Sequence, residues 1–587
     1  MDFHGVRKNV FGHGRNLTFW LLILALHFPS LSWAVYNLPS DRKITWNAGL
    51  DPVGRIPNYT NVTCTGLHSD GSVDDRSALQ TCINNASLNT AVYIPAGVYK
   101  VSGDININKS NVVLRGAKAS STPWLPTADA TATTLNISGR IYVSTGSQSG
   151  TWSPGAGQGT SITSGYTQGS TSITLSSASG YNINDYISVY QNSDASLPID
   201  YRGASWLGED NCSSYDCHVK QQFVKITNKS GNVLTIDPGI YMVTASPTGA
   251  AVRKLSFGVT LSGVENLRIN GNGSNGTAIF FNNVIYCWAK GVETYNIAGG
   301  NGYGHIMTWF SKGVEIRDNY VHYGGPHTSG RSYGLDFNYW NSDHKVENNI
   351  ISDTRHAIIF EGGGSGCAIL YNYGFNNWED DLAALTESLT QNHGAHPHMN
   401  LWEGNIDQQF YGDWTWGSSS HMTLFRNWVL GYRASPSGYT GFITAIRVGP
   451  YNRYYNILGN IAGISSWTSG RAICNSGSCG GGPHAFEFGL HTDNSYLDSG
   501  SYSTAILHGN YDYVTDGVAI WADSDHALTN SMYYNSKPSW YRGCTWPPVD
   551  PTVPTVHDMP AKLRYEGNSC PPGPFHPSSP ANFRLIQ

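Results

Sequence analysis

Apolar and polar positions repeat along residues 257–535 at a spacing near 22 or 23 residues, which longer loops extend in places. Each unit has a few alternating apolar residues, an asparagine, and a glycine or polar turn, as in GVENLRINGN, GVEIRDNYVH and NLWEGNID. Alternation with a period of two predicts short strands that turn one face towards a core. The recurring asparagines are Asn270, Asn296, Asn319, Asn349, Asn372, Asn405, Asn427, Asn460 and Asn510.

Short strands at this spacing predict coils that stack, so that each strand pairs in parallel with its equivalent in the next coil. An asparagine at one turn of each coil tolerates left-handed backbone geometry, and its amide can bond to the copies above and below. We therefore predict an all-β protein, a right-handed parallel β-helix (a solenoid) of roughly ten coils. A β-propeller is the alternative, but its blades need about 40 residues, so the spacing disfavours it.

The segment before this array reads SDGSVDDRSALQTCINN and then YIPAGVY. Asp74 and Asp75 stand where the start of a short amphipathic helix favours acidic side chains, and Pro95, Gly97 and Tyr99 follow a strand. This pattern closely resembles the opening of the pectate-lyase-like β-helix superfamily. The resemblance implies that a short N-terminal helix caps the open end of the solenoid.

The same resemblance implies that the protein acts on a polysaccharide, but it assigns no catalytic residue. The Asn-Thr-Asp, Gly-His-Gly and Arg-Ile-Lys motifs of polygalacturonases do not occur in this sequence, and neither do the calcium motifs of pectate lyases. Residues 116–256 also resemble the β-insertion that many members of the superfamily carry early in the helix.

Five segments follow from these patterns. Residues 1–34 have basic residues, the apolar run LTFWLLILALHF and the small-residue pattern Ser32-Trp33-Ala34, which predict a signal peptide. Residues 35–115 hold the N-terminal cap and first coils, and residues 116–256 are an inserted β-rich segment or elaborated coils. Residues 257–535 form the β-helix core with the catalytic groove, and the Pro-rich residues 536–587 wrap or cap the far end.

The signal peptide predicts a secreted protein, extracellular or periplasmic, that no membrane retains after cleavage. The ten cysteines fit that compartment, because an even count in an exported chain predicts disulfides without fixing which cysteines pair. Four close pairs stand out, and two cysteines remain: Cys64/Cys82, Cys212/Cys217, Cys474/Cys479 and Cys544/Cys570, with Cys287 and Cys367 left over.

The charge composition limits the classes of partner and substrate that the protein is expected to bind. Only 13% of the residues are charged, the formal net charge is −6, and no basic stripe is visible, so a nucleic-acid partner is not supported. The same balance disfavours a strongly anionic substrate. Eighteen tryptophans could stack on sugar rings or lie in the core. The sequence predicts a polysaccharide substrate and indicates no oligomeric state.

Three carboxylates are candidate acid and base groups: Asp336 in YGLDFNYW, Glu361 in IIFEGGG and Asp413 in YGDWTWG. Glycoside hydrolysis needs two carboxyl groups beside the scissile bond, one protonated and one ionised. Aromatic and glycine-rich surroundings can raise a carboxyl pKa and stack a sugar. The alternative for each is a structural acceptor in a β-turn. Asp380 and Asp381 are more typical of the first turn of a loop helix.

Counting back about 14 residues from each asparagine places His305, Leu335, Ile358 and Asp413 at equivalent strand positions. Asp336, the Arg355–His356 pair and Asp413 would then share one face, although a slip of one residue reverses the face of a strand. Arg355, His356 and Arg447 could instead neutralise a uronic acid and remove its proton in lyase chemistry. Arg447 is also a candidate substrate-binding residue.

The stretch QNHGAHPHMNLWEGN has three histidines, His393, His396 and His398, at the end of a long insertion. We predict that His393 and His396, together with Arg355 and His356, orient groups or transfer protons at the groove. The alternative for the three histidines of this stretch is a packed or solvated place in the loop. We predict no metal ion, because Pro397 breaks the cluster and no nearby acidic residue would fix the imidazole tautomers. Calcium remains possible, since carbonyl groups and turn aspartates bind it without a motif.

The second half of the same stretch is mainly scaffold, with Leu401 in the core and Asn405 in the ladder. Glu403 is expected to be a carboxylate on the coil surface. Candidate stacking surfaces for sugar rings are Trp402, Trp414 and Trp416.

These features favour a secreted glycoside hydrolase that cleaves a polysaccharide. Two alternatives remain: a polysaccharide lyase acting by β-elimination on a uronic-acid glycan, and a non-catalytic glycan-binding or adhesin β-helix.

Overall fold

The computed structural model describes residues 36–118, 131–145, 159–191, 220–241, 250–273, 276–297, 304–328, 330–379, 388–431, 444–467, 469–477, 479, 482–490, 497–522, 524 and 526–571. The predicted signal peptide, Cys212, Cys217, Asp380 and Asp381 lie outside these residues. No helix among the described residues is both long and apolar enough to cross a lipid bilayer.

Three long sheets, here named A, B and C, run along the molecule, and each coil contributes short strands to them in chain order, except that the last two strands of sheet C are exchanged. The neighbouring strands within a sheet pair in parallel, apart from one antiparallel strand at the end of sheet B. This is the predicted parallel β-helix. The strands of sheet A are Thr60–Thr63, Thr90–Ile94, Val112–Gly116, Gly263–Glu265, Trp288–Lys290, Glu315–Arg317, Lys345–Glu347, Ala368–Leu370, Leu401–Glu403, Thr423–Phe425, Asn456–Leu458 and Ile506–His508.

Sheet B follows sheet A in each coil. Its last strand, Gly517–Ile520, is the antiparallel one and covers the edge of its neighbour. The strands are Asp70–Asp74, Gly97–Val101, Thr133–Ile137, Arg268–Asn270, Glu293–Ile297, Tyr320–Gly324, Ile350–Ser352, Tyr373–Phe375, Ile406–Asp407, Trp428–Val429, Ile461–Ala462, Asn510–Asp512 and Gly517–Ile520.

Sheet C carries the longest strands of the coils and the candidate site. In spatial order, its strands are Ile105–Ile107, Ile141–Val143, Ile279–Asn282, Gly304–Trp309, Tyr333–Asn338, Ile358–Glu361, Leu389–Asn392, Phe410–Gly412, Thr444–Val448, His484–Phe488 and Arg471–Cys474. Two short pairs complete the strands of the solenoid and tail: Val259–Thr260 with Val284–Ile285, and Val549–Asp550 with Thr555–Val556.

The core fills the inside of the coils with one apolar residue per strand. In sheet A, a single register column is apolar from one coil to the next: Leu114, Val264, Ala289, Ile316, Val346, Ile369, Trp402, Leu424, Ile457 and Leu507. All of them belong to one continuous buried cluster. Burying such a column in every coil removes a large apolar area from water and drives the coils to stack.

The asparagine ladder holds the coils in register. The Nδ2 of each ladder asparagine donates to Oδ1 of the next at 2.9–3.0 Å, and the next Oδ1 also accepts the previous backbone amide. The members are Asn319, Asn349, Asn372, Asn405, Asn427, Asn460 and Asn510. They are almost completely buried, so each amide satisfies backbone groups that water cannot reach.

Two details of the expected ladder are wrong. Asn270 and Asn296 form a separate short ladder with Asn136, and Val292 occupies the ladder position before Asn319. In the long ladder, the left-handed residue is not the asparagine but the residue before it, for example Asp318 (φ 59°) and Gly404 (φ 68°), whereas Asn296 of the short ladder is itself left-handed (φ 56°). The sharp turn and the amide contacts are thus divided between two neighbouring positions.

The N-terminal helix, Arg76–Asn85, lies over the first coil and buries Leu79 and Ile83 in the core. The amide of Asn106 on the first strand of sheet C donates to Gln80 at 2.8 Å, and the Cys64–Cys82 disulfide fixes the helix to the first strands. This matches the cap that the resemblance implies. The other helices are Ser499–Ser503 and Pro560–Tyr565, with 3-10 turns at Ser40–Arg42, Asp51–Val53 and Ser539–Tyr541.

An antiparallel barrel interrupts the coils between strands Ile141–Val143 and Val259–Thr260. Lys312 donates to the carbonyl of Phe223 at 2.8 Å and the amide of Phe223 donates to Ser342 at 2.9 Å, which docks the barrel on the solenoid. Its six strands are Thr160–Ser164, Ser172–Leu175, Tyr186–Gln191, Lys220–Ser230, Val233–Asp237 and Ala251–Leu255.

The C-terminal tail packs along the outer face of sheet A, where Tyr541, Met559 and Ala561 join a second buried cluster. Glu403 anchors the tail, because it accepts from Tyr371 Oη at 2.6 Å and from the amide of Met532 at 2.8 Å. The expectation of a surface carboxylate at Glu403 is therefore wrong, since the tail buries it.

Within the described ranges, three disulfides join Cys64 to Cys82, Cys474 to Cys479 and Cys544 to Cys570. Cys287 and Cys367 are buried and reduced, in agreement with their place outside the close pairs.

The ladder makes a test of stability. Asn372→Ala removes the central rung and leaves buried polar groups of Asn349 and Asn405 without their partner, so we expect it to cost roughly 2–4 kcal/mol. Asn136→Ala, in the short half-buried ladder, is the matched control and should cost less than about 1 kcal/mol. Unfolding followed by circular dichroism measures both; equal losses would show that the long ladder contributes nothing special.

Candidate active site on the outer face of sheet C

Two columns of outward-facing residues cross sheet C. The first runs Met307, Asp336, Ile359, Thr390, Tyr411, Arg447, Glu487. The second runs Trp309, Asn338, Glu361 and continues at the ends of the next two strands with His393 and Asp413. Residues between them, such as Phe337 and Phe360, point into the core. The alternation of the strands therefore gathers the polar side chains on one surface.

Asp336 and Glu361 form a buried acidic pair on adjacent strands. Their backbones are diagonal neighbours, roughly 7–8 Å apart. Burial, followed by the charge of Glu361, raises the pKa of Asp336 well above its ordinary value, and the nearby amide of Gly304 opposes this only in part. Neither carboxyl oxygen of Asp336 has a hydrogen-bond partner among the described residues. The neutral, protonated form of Asp336 is therefore the stable one.

The pKa of Glu361 lies near neutral pH. Burial raises its pKa from 4.5 to about 7, against the lowering effects of His393, Arg355 and the hydroxyl of Tyr333. Asn338 donates to its Oε2 at 2.6 Å. A carboxyl group that still holds its proton near pH 7 is the ordinary requirement for a general acid.

Arg355 and His356 support the pair from one side. Arg355 makes an ion pair with the buried Glu379 at 2.7 Å and donates to Tyr333 Oη at 3.2 Å. Its Nη1 also lies 3.1 Å from His356 Nε2, which must accept. His356 then carries its proton on Nδ1 and donates it to Thr390 Oγ1 at 2.9 Å.

His393 and Asp413 form a second group across the next two coils. His393 Nδ1 lies 2.9 Å from Asp413 Oδ2, and the other oxygen of Asp413 accepts from the amides of Trp414 and Thr415 and from Tyr411 Oη. Four contacts thus hold the carboxylate of Asp413 in place. His393 keeps 17% of its side chain exposed. A carboxylate that orients a partly exposed imidazole is a common arrangement for proton transfer.

Arg447 lies next in the first column but its charge is already compensated. Its Nε is 2.7 Å from Glu487 Oε1, and its guanidinium lies 5.3 Å from the centre of the Tyr411 ring. It is almost fully buried. Arg447 therefore lies in the same buried column as Asp336, where its charge is paired with Glu487 and its guanidinium packs on Tyr411, and its contact with substrate stays a prediction.

Three predicted positions need correction. Trp402 has no exposed surface, because strand parity points it into the core, so it cannot stack on a sugar. Trp414 is also buried. His396 is buried as well, and its Nε2 contacts Ser420 Oγ at 2.8 Å, in place of the acidic pair. Trp416 remains half-exposed and lies 5.5 Å from the His393 ring.

The assignment of equivalent strand positions by counting back from each asparagine is correct for Leu335 and Ile358, which pair directly. It is wrong for His305 and Asp413. Ile306 replaces His305, and the equivalent of Ile358 two coils later is Phe410, three residues before Asp413. Sequence reasoning missed Tyr333, Asn338, Glu379, Tyr411 and Glu487. Strand parity would have indicated Asn338 and Tyr411, but no local pattern marks Glu379 or Glu487.

No group of three or more His, Cys, Asp or Glu side chains in the described ranges converges in a way that could hold a metal ion. The prediction of a metal-independent protein stays a prediction.

Comparison with known proteins gives one family match. Residues 59–321, just under half of the chain, match the family Rhamnogalacturonase A/epimerase, pectate lyase-like. The matched range begins in the first strand of sheet A and includes the cap helix and the early coils. Over that range, this parallel β-helix is similar to the pectate-lyase-like proteins. No curated protein matches the sequence of this β-helix.

Solved structures with a similar fold share little sequence with this β-helix. Tailspike gp49 from Pseudomonas phage LKA1 is 13% identical, with a TM-score of 0.43 over 70% of this chain and 64% of that chain. The A-module of mannuronan C-5 epimerase AlgE4 from Azotobacter vinelandii is 12% identical, with a TM-score of 0.34 over 79% and 98%. The GH87 α-1,3-glucanase of Streptomyces thermodiastaticus is 12% identical, with a TM-score of 0.35 over 81% and 71%. This chain therefore spans less than two thirds of the phage LKA1 tailspike.

The pKa of Glu361 makes stability depend on pH. Because the folded pKa of about 7 exceeds the ordinary value of 4.5, the folded protein holds this proton more tightly, and the free energy of unfolding falls as pH rises through that window. In Glu361→Gln this group does not titrate, so its contribution to the fall in the free energy of unfolding is absent. We therefore expect the free energy of unfolding of the variant, relative to that of the wild type, to rise by on the order of 2–3 kcal/mol between pH 4.5 and pH 8.

Denaturant unfolding at several pH values measures this difference. Glu566→Gln, a partly exposed carboxyl of the C-terminal helix, is the control and should follow the wild type. A difference between Glu361→Gln and the wild type that does not change with pH would contradict the raised pKa.

Proposed function

We propose that the protein is a secreted enzyme that hydrolyses glycosidic bonds of a polysaccharide at the outer face of sheet C. The observation that carries this proposal is the buried pair of Asp336 and Glu361, whose proton is held near neutral pH, beside the ordered His393–Asp413 pair. The family match over residues 59–321 favours a carbohydrate substrate. Three disulfides support an oxidising, extracellular destination.

Glu361 is the proposed general acid. In its protonated form it gives its proton to the glycosidic oxygen as the bond to the anomeric carbon breaks, and burial keeps that proton available near neutral pH. Asn338 holds the carboxyl in position.

The His393–Asp413 pair is the proposed base. It accepts the proton of the water whose oxygen adds to the anomeric carbon. Asp413 stands two coils beyond Glu361, which the strand spacing puts at roughly 9.6 Å. This backbone spacing is close to the upper end of the range of about 6.5–9.5 Å between carboxyl groups of inverting enzymes and well above the roughly 5 Å of retaining enzymes, so inversion at the anomeric carbon is the expected outcome.

The charges of this surface favour a neutral glycan. Arg355 is paired with Glu379, Arg447 with Glu487 and His393 with Asp413. β-Elimination on a uronic acid needs cationic groups that neutralise the substrate carboxylate, and these cations are already committed to carboxylates of the chain.

A polysaccharide lyase remains the second candidate, because His393, Tyr411 and Arg447 lie in neighbouring coils and could support proton abstraction. A glycan-binding adhesin is the non-catalytic alternative, which the enclosure of Asp336 and Glu361 favours.

A panel of neutral and acidic polysaccharides tests the proposal. We expect new reducing ends from a neutral glycan, without the ultraviolet absorption of an unsaturated product. Glu361→Gln and Asp413→Asn should each lower kcat by about 10²–10⁴-fold, and wild-type activity should decline above pH 7 as Glu361 ionises.

Glu566→Gln serves again as the control and should retain activity. An unsaturated product would establish the lyase, and retention of a glycan without any product would establish the adhesin. Full activity in Asp413→Asn would remove the proposed base.

We also propose that cleavage needs no tightly bound transition metal. A chelator selective for zinc and copper should leave kcat unchanged. Stoichiometric zinc or copper in the purified protein, lost together with activity, would contradict this.

A further inference from the structure

Aromatic side chains cover the part of sheet C that precedes the acidic pair. In the first column, Tyr142 and Phe280 come before Met307 and Asp336. In the second column, Trp309 is the register partner of Asn338, which in turn pairs with Glu361. Trp309 therefore lies two strands, roughly 9.6 Å, from the proposed acid on the same surface.

The ring of Trp309 is held in a fixed orientation. Phe280 and Tyr339 each meet it edge-on with ring centres 4.9 Å apart, at 84° and 89°. Tyr142 extends the row at 5.6 Å from Phe280. Tyr142, Trp309 and Tyr339 are half-exposed. The indole N–H of Trp309 has no hydrogen-bond acceptor in the described part of the chain.

Packing between the barrel and the solenoid explains only part of this cluster. Phe310 and Trp340 are buried against Phe223 of the barrel, as expected for an interface. Trp309 and Tyr339 stand at the border of that interface and stay half-exposed. A junction between two bodies, with aromatic walls and a few convergent polar groups, is where ligand clefts most often form.

We infer that Trp309, with Tyr142 and Tyr339 beside it, forms a stacking platform for the sugar units that bind on the N-terminal side of the acidic pair. A sugar ring presents a C–H face that stacks on the face of an aromatic ring. No charge is involved in this contact, which suits a neutral glycan. The inference rests on the proposed function for its substrate class.

The glycan would then run along the solenoid axis, because the columns do. Sugars on the N-terminal side contact aromatic rings, whereas sugars beyond Glu361 meet the hydrogen-bonding groups of His393 and Asp413. The platform thus determines which sugar units of the glycan are bound by stacking.

The experiment measures binding without cleavage. Full-length Glu361→Gln serves as the background, and the probes are neutral gluco-, galacto- and mannooligosaccharides of increasing length, with oligogalacturonates for comparison. Adding Trp309→Ala should weaken the binding of the best neutral probe about tenfold or more, with less effect on the shortest probes. Trp309→Phe should recover most of the affinity, and thermal unfolding checks that each variant is folded.

Tyr323→Ala is the matched control, since Tyr323 is an aromatic residue of sheet B that is 60% exposed. It should bind as the background does. Unchanged affinity in Trp309→Ala, a lower melting temperature without a change in affinity, or no binding of any neutral probe would overturn the inference.

The same variants separate this inference from the proposed function. If Trp309→Ala weakens binding but the wild type cleaves no glycan, the platform stands and hydrolysis fails. If the wild type cleaves a glycan and Trp309→Ala keeps its affinity, hydrolysis stands and the platform fails.

Discussion

The register between coils is the constraint on which the candidate site depends. Each ladder asparagine satisfies the backbone of its neighbour, and a coil that slipped by one residue would leave buried amides without partners and turn its polar residues inwards. Because the register is fixed, residues 25 positions apart in the chain, such as Asp336 and Glu361, become diagonal neighbours on adjacent strands. The ladder lies at the junction of sheets A and B, yet it determines which side chains meet on sheet C.

The outer face of sheet C concentrates polar groups that the solenoid would otherwise not bury. Charges there are tolerated because each cation has a carboxylate within reach, as with Arg355 and Glu379. Asp336 is the exception, since its oxygens have no partner in the described residues and burial keeps it protonated. The other charged side chains on this face have partners, and a structural role does not explain why the carboxyl group of Asp336 has none. Such departures from good packing are concentrated at functional sites.

The fold could be predicted from the sequence because its signal is repeated in every coil, so that errors at single positions do not matter. The site could be predicted only in part. Asp336 and Glu361 were selected because aromatic and glycine residues surround them, but Trp402 was misjudged, since strand parity and not composition decides which face a residue takes. Glu379 and Glu487 were missed because their partners are distant in sequence, and a local pattern contains no information about such pairs.

Stability and chemistry are carried by different positions of the same strands. Inward residues such as Phe337 and Phe360 belong to the continuous core, while the residues between them, Asp336 and Glu361, contribute no apolar contact inside the coil. Outward positions can therefore change without loss of the stack, provided that buried charges keep their partners. This division explains why a repeat with clear periodicity predicts the fold so well and the reaction so poorly: the periodic positions are those that the chemistry does not use.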